Sequence, residues 1–207
     1  MKVTVRTITG ILLAGLFLLV SVAGNSQAAV ETGAAAPDFT LSDADHMTKA
    51  LSDYAGKYVV LEWLNHECPF VRKHYDSNNM QSLQEEFTQQ GVVWLSIISS
   101  APGKQGHCTA EEASELKEQK AAHPTAVLLD SDGSVGKLYG AKTTPHMFIV
   151  DPNGTLIYQG AIDDVPSADP ADIAEATNYV RLALSQSMAG EEVSNPSTKS
   201  YGCAVKY

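Results

Sequence analysis

The sequence predicts an α/β protein with a mixed central sheet and helices on both faces. Three observations carry that expectation. Short β-branched apolar runs alternate with longer amphipathic stretches, so strands are separated by helices and pair in parallel through βαβ units. Two apolar strands, "PHMFIVD" and "TLIYQG", flank a Pro-Asn-Gly turn, which adds antiparallel edge strands. Beyond an apolar leader, about 180 residues remain, enough for one domain with a sizeable core.

The leader is residues 1–29. Lys2 and Arg6 precede the apolar run Ile8 to Gly24, and "NSQAA" places small residues for cleavage after Ala28 or Ala29. That is the layout of a secretory signal peptide, with an uncleaved membrane anchor as the alternative. A periplasmic or otherwise exported domain, residues 30–190, is expected to follow. Its segment 34–41, "AAAPDFTL", reads as extended, and "KYVVLEWL" (57–64) as a buried strand. Pro69 to about Gln90 is helical in character, with Gly91 as its stop. "GVVWLSIIS" is a second strand, and Thr109 with Glu112 has the spacing of a capping box opening a helix over 109–122. "TAVLLD" is a third strand, and a turn with a short helix leads into the hairpin. A last helix begins at Asp169, with Pro170 in its first turn. The tail, residues 191–207, reads as irregular and exposed, yet it carries Cys203. The acidic stretches 43–54 and 161–172 read as loops, solvated faces or helix caps rather than cation sites.

The whole chain has 14 basic and 24 acidic residues; losing Lys2 and Arg6 with the leader makes the balance still more acidic. Nucleic acid and anionic lipid are poor partners for such a surface. A membrane is expected only through the leader, if it is uncleaved. All three cysteines, Cys68, Cys108 and Cys203, lie beyond the leader, and an odd number leaves at least one spare or paired between chains.

Cys68 is the candidate for chemistry. It stands where a strand gives way to a helix, with Pro69 at the first helical position, where a missing N–H costs nothing. There a sulfur meets the unpaired amides and positive dipole end of the helix, which favour the thiolate. Arg72, Lys73, His74 and His66 lie nearby, while Glu62 and Glu67 oppose. A second reading has Cys68 with His66, His74, His107 or His146 hold copper or zinc, although no ligand spacing matches a strong metal motif. A third is an inert buried thiol.

Taken together, "APDFTL", the strand ending in "CPFV", and "TTPHMFIVD" before "DPNG" resemble the thioredoxin-like superfamily. More narrowly they resemble the peroxiredoxin-like branch of the alkyl hydroperoxide reductase/thiol-specific antioxidant (redoxin) family, over roughly residues 32–190. The resemblance implies a thioredoxin-like fold and an oxidoreductase. It gives Cys68 the role of reactive thiolate and makes Pro145, preceded by Thr144, a cis-proline facing it. His66 would be a local proton donor and Arg72 a supporting residue. It implies no organic cofactor and, as partner, a thiol or disulfide protein or a peroxide. The chain departs from the pattern in three places: Val71 replaces the second cysteine of C-x-x-C, and Asn65 and Leu61 replace the Thr and Pro that precede a peroxidatic cysteine. A second thiol must therefore come from elsewhere. Cys203 is the expected resolving partner, because a tail of that length reaches tens of ångströms at about 3.4 Å per residue, and Cys108 is its competitor.

Overall fold

The computed structural model describes residues 1–2 and 30–207; the leader expected over 1–29 therefore falls almost wholly outside the described residues. Among the described residues, nine strands form two sheets. β1 (Thr40–Asp43), β2 (Thr48–Ala50), β3 (Val59–Trp63), β4 (Val93–Ile98), β5 (Ala126–Leu129), β7 (His146–Val150) and β8 (Leu156–Gly160) build a seven-stranded sheet in the order 2-1-5-4-3-7-8. β6 (Thr143–Thr144) and β9 (Cys203–Ala204) form a separate two-stranded ladder. The helices are α1 (Pro69–Asp76), α2 (Asn79–Thr88), α3 (Ala110–Gln119), α4 (Ser134–Tyr139) and α5 (Tyr179–Met188).

β3, β4 and β5 are parallel, as expected of strands separated by helices, and β7 and β8 join as the antiparallel hairpin. All of β3, β4 and β7 is buried, because both faces of the sheet are covered. The strand period sorts their residues into two cores. Val59, Leu61 and Trp63 face a cluster with Val135 and Tyr139 of α4, whereas Val60 faces one with α1, α2 and α5. α3 closes a smaller cluster over Ile98 and Val127. The long pairing is what positions the site. Trp63 at the end of β3 lies opposite His146 at the start of β7. The chain leaving β3 toward Cys68 and the chain arriving through Thr144–Pro145 therefore share one sheet edge.

Four expectations are corrected. The helix expected over 69–90 is two helices, because Asn78 adopts a left-handed conformation (φ +62°) and breaks the run; asparagine tolerates that region better than most residues. The helix expected from Asp169 is a short 3-10 turn over Pro170–Ala174, and α5 starts only after Asn178, whose side chain accepts from the Arg181 amide. Of the two acidic stretches, 43–54 carries the β1–β2 hairpin and 161–172 buries Asp163, while Asp53 and Asp169 take the expected cap role, accepting from the Ala50 and Ala171 amides. The tail is not simply exposed. Pro196 and Thr198 exchange backbone hydrogen bonds with Gln159, Cys203–Ala204 pairs with β6, and the Lys206 carbonyl accepts from the Ala101 amide.

Candidate redox site at the end of strand β3

Cys68 is the N-cap of α1, with extended backbone (φ −72°, ψ 125°), Pro69 at N1 and its carbonyl accepting from the Arg72 amide. Its side chain is fully buried. The Thr144–Pro145 bond is cis, and the Thr144 carbonyl lies 3.0 Å from Cys68 Sγ. From the other side comes the tail: Cys203 Sγ is 2.8 Å from Cys68 Sγ. The two are free thiols, already inside van der Waals contact, and closing to a disulfide of about 2.05 Å needs well under one ångström of movement.

The tail reaches this position because β9 pairs antiparallel with β6, Cys203 opposite Thr144 and Ala204 opposite Thr143. Gly202 makes the approach possible. Its φ is +136°, and a Cβ there would lie 2.1 Å from the Thr144 carbonyl oxygen. Only glycine offers both the conformation and the space.

The two sulfurs differ in acidity. Burial pushes the Cys68 thiol up, but hydrogen bonds from the Cys203 thiol and from the backbone amides of Val71 and Cys203 outweigh it, leaving its pKa below the ordinary value. The Thr144 carbonyl can only accept, so it favours the protonated thiol; the donors outnumber it. Cys203 moves the other way, to about 11, through burial and through donating to Cys68. A more acidic thiol beside a less acidic one is the order that stepwise exchange needs.

The remaining expected residues are placed as follows. Arg72 pairs with Asp76, its Nε 3.6 Å from Oδ2, and is largely exposed. His66 lines an apolar groove between α1 and α3 together with Leu64, Val71 and Leu116, and its Nδ1 is buried without a hydrogen-bond partner. Cys108 packs with Ile98, Ala113 and Val127, and burial raises its pKa to about 11. Of the histidines weighed as metal ligands, His74 meets Asn79 and Tyr201, His107 the Ser100 carbonyl, and His146 the Lys142 amide. Among the described residues no three His, Cys, Asp or Glu side chains gather as a metal site.

Three residues were missed in the sequence. Glu62, read only as a charge opposing the thiolate, is fully buried on β3 and accepts from Trp94, Tyr75, Ser96 and Gln84 at 2.8, 2.8, 2.9 and 3.2 Å. Burial raises its pKa despite these donors. A charged residue inside "VVLEWL" was the available signal. Gly202, next to Cys203, was the signal for close tail packing. Asp163 carried none, since it sits among other acids.

A helix-capping cysteine facing a cis-proline across a mixed sheet defines a thioredoxin-like fold. The chain belongs to the AhpC/TSA family of thiol-dependent oxidoreductases, whose profile matches residues 32–159. Among its relatives is the thiol-disulfide oxidoreductase ResA of Geobacillus thermodenitrificans (strain NG80-2), 28% identical over 132 residues, or 62% of this chain and 68% of the relative. An uncharacterized conserved protein from Geobacillus kaustophilus superimposes with a TM-score of 0.75 at 26% identity, covering 86% of this chain and 92% of the other. The thioredoxin domain of a thiol-disulfide oxidoreductase from Bacteroides vulgatus shares the fold, with a TM-score of 0.51 at 21% identity over 71% of this chain and 97% of its own.

Proposed function

We propose that this protein is an exported thiol-disulfide oxidoreductase that uses Cys68 and Cys203 as its redox pair. The observation that carries the reading is the 2.8 Å approach of a low-pKa thiol and a high-pKa thiol across Pro145. The Cys68 thiolate attacks one sulfur of a partner disulfide, and the other partner sulfur leaves as thiolate. Cys203 gives its proton to that leaving group and attacks Cys68 Sγ, releasing the second partner sulfur. The partner gains two electrons, and the protein ends as the Cys68–Cys203 disulfide. A second thiol protein then restores the pair. The Thr143–Thr144 edge that takes up the tail is also an edge on which a partner's extended segment can pair once the tail lifts.

A disulfide is favoured over a peroxide as substrate for a specific reason: Arg72, the cation nearest in sequence, is paired with Asp76 and largely exposed, and the groups that bond Cys68 Sγ are thiol and backbone groups. Export rests on the leader at 1–29 and suits a compartment where such pairs cycle. The test is catalysis of disulfide reduction in a model protein substrate under dithiothreitol, beside peroxide consumption. Wild type is expected to accelerate the first, Cys68→Ser to abolish it, and Cys203→Ser to stall at a mixed disulfide. Peroxide consumption at a comparable rate by wild type, with no disulfide turnover, would refute the assignment.

A further inference from the structure

Asp163 is 3% exposed, and its carboxylate is shared by the two segments that carry the two sulfurs. Its Oδ1 accepts from the Tyr201 hydroxyl and, at 3.1 Å, from the Val165 amide. Its Oδ2 lies 3.4 Å from Lys73 Nζ and 3.8 Å from His74 Nε2. Lys73, fully buried, also donates to the Val165 carbonyl at 3.1 Å. Lys73 and His74 follow Cys68 on α1, while Tyr201 precedes Cys203 in the tail. The Tyr201 ring packs edge-on against Phe70, also of α1, with centroids 5.8 Å apart, and Lys73 Nζ lies 5.8 Å from its centroid. Upstream the tail is paired to Gln159 and downstream to β6, so Tyr201 anchors the span between those two attachments.

We propose that Asp163 is a positioning residue for the cysteine pair. Through Lys73 it holds the helix that presents Cys68, through Tyr201 it holds the strap that presents Cys203, and so it keeps the sulfurs within exchange distance. This rests on the reading of Cys68 and Cys203 as a redox pair and adds the device that sets their effective concentration. The bland alternative is a buried ion pair that only supports the fold. Such pairs are weak sources of stability and are often replaceable by apolar residues, so the two roles separate in a redox measurement.

Tyr201→Phe keeps the ring and removes only the hydroxyl that reaches Asp163. A hydrogen bond to a charged group is lost, so the equilibrium constant for Cys68–Cys203 disulfide formation against glutathione is expected to fall about tenfold or more, or about 30 mV per tenfold. In the reduced protein Cys68 should alkylate faster by a similar factor while Cys108 stays protected. A paired change, Lys73→Met with Asp163→Leu, removes the brace with apolar groups of similar size and is expected to lower the constant in the same direction. An equilibrium within about twofold of wild type in both variants would overturn the proposal, as would Cys108 reacting as fast as Cys68. A wild-type chain that forms no Cys68–Cys203 disulfide would fail in a different arm, and would bring down the underlying redox reading as well.

Discussion

Gly202→Ala is the smallest change that should uncouple the two sulfurs. The new Cβ would sit 2.1 Å from the Thr144 oxygen and 2.8 Å from its carbonyl carbon, both backbone atoms that cannot rotate aside. Real Cβ atoms keep at least 3.0 Å, so the strap must lift by roughly 0.9 Å at that point. Alanine must also hold φ near +136°, a region that costs an L residue about 1–3 kcal/mol. Those energies correspond to an equilibrium constant for strap docking lower by roughly five- to 150-fold. The assay is equilibration of the protein with reduced and oxidised glutathione, acid quenching, alkylation and mass mapping. The Cys68–Cys203 disulfide should be formed less favourably by about that factor, with Cys68 glutathionylation appearing in its place. An alanine variant whose equilibrium matches wild type within about twofold would show that the strap is not held where the close approach of Gly202 to Thr144 puts it.

Other expectations concern acidity and the third thiol. Alkylation of Cys68 should fall as pH drops through a thiol pKa held below its ordinary value. Cys203→Ala, which removes a donor to that sulfur, should raise the midpoint; an unchanged profile would refute the assigned cause. His74 and His146 are held at about 4 by burial, against 6.5 when free. The unfolded chain therefore binds more protons between those values, so stability is full above pH 6.5 and is lost as pH falls toward 4, by up to ~3 kcal/mol for each histidine. Glu62, raised by burial, opposes that trend. Urea unfolding at pH 7 and pH 4.5 measures the balance, and a flat profile would contradict it. Cys108→Ser should leave glutathione equilibration of the other two thiols within about twofold of wild type, because Cys108 packs in a separate cluster. A larger change would reinstate it as the resolving thiol.

Much of this fold was legible because its local signals agree with its tertiary structure. Pro69 after Cys68, the Thr109–Glu112 capping box and the Pro-Asn-Gly hairpin each have a local mechanism, and each appears in place. The break at Asn78 was not legible, since a left-handed residue inside an apolar periodicity leaves the pattern on both sides intact. α5 was misplaced because Pro170 suits a 3-10 turn as well as an α-helix, and nothing local ranks it below Asn178. The tail illustrates the larger gap. Its sequence is polar and short of apolar periodicity, and what orders it is non-local: backbone pairing with Gln159 and Thr143–Thr144, and Tyr201 on Asp163. Cys68 could be chosen from its place at a helix N-terminus. The neighbours that adjust its pKa come from residues as distant as Cys203, which no spacing rule connects.

The central claim, that Cys68 and Cys203 act as one reversible pair, is tested most directly by a redox titration of the wild-type protein in glutathione buffers with mass mapping of every thiol. The expected result is a single two-electron transition between the dithiol and an intramolecular Cys68–Cys203 disulfide, with Cys108 reduced throughout. Cys203→Ser should replace that transition by a mixed disulfide of Cys68 with glutathione. A wild-type titration in which Cys68 only accumulates glutathione, or links to Cys108, would contradict the account.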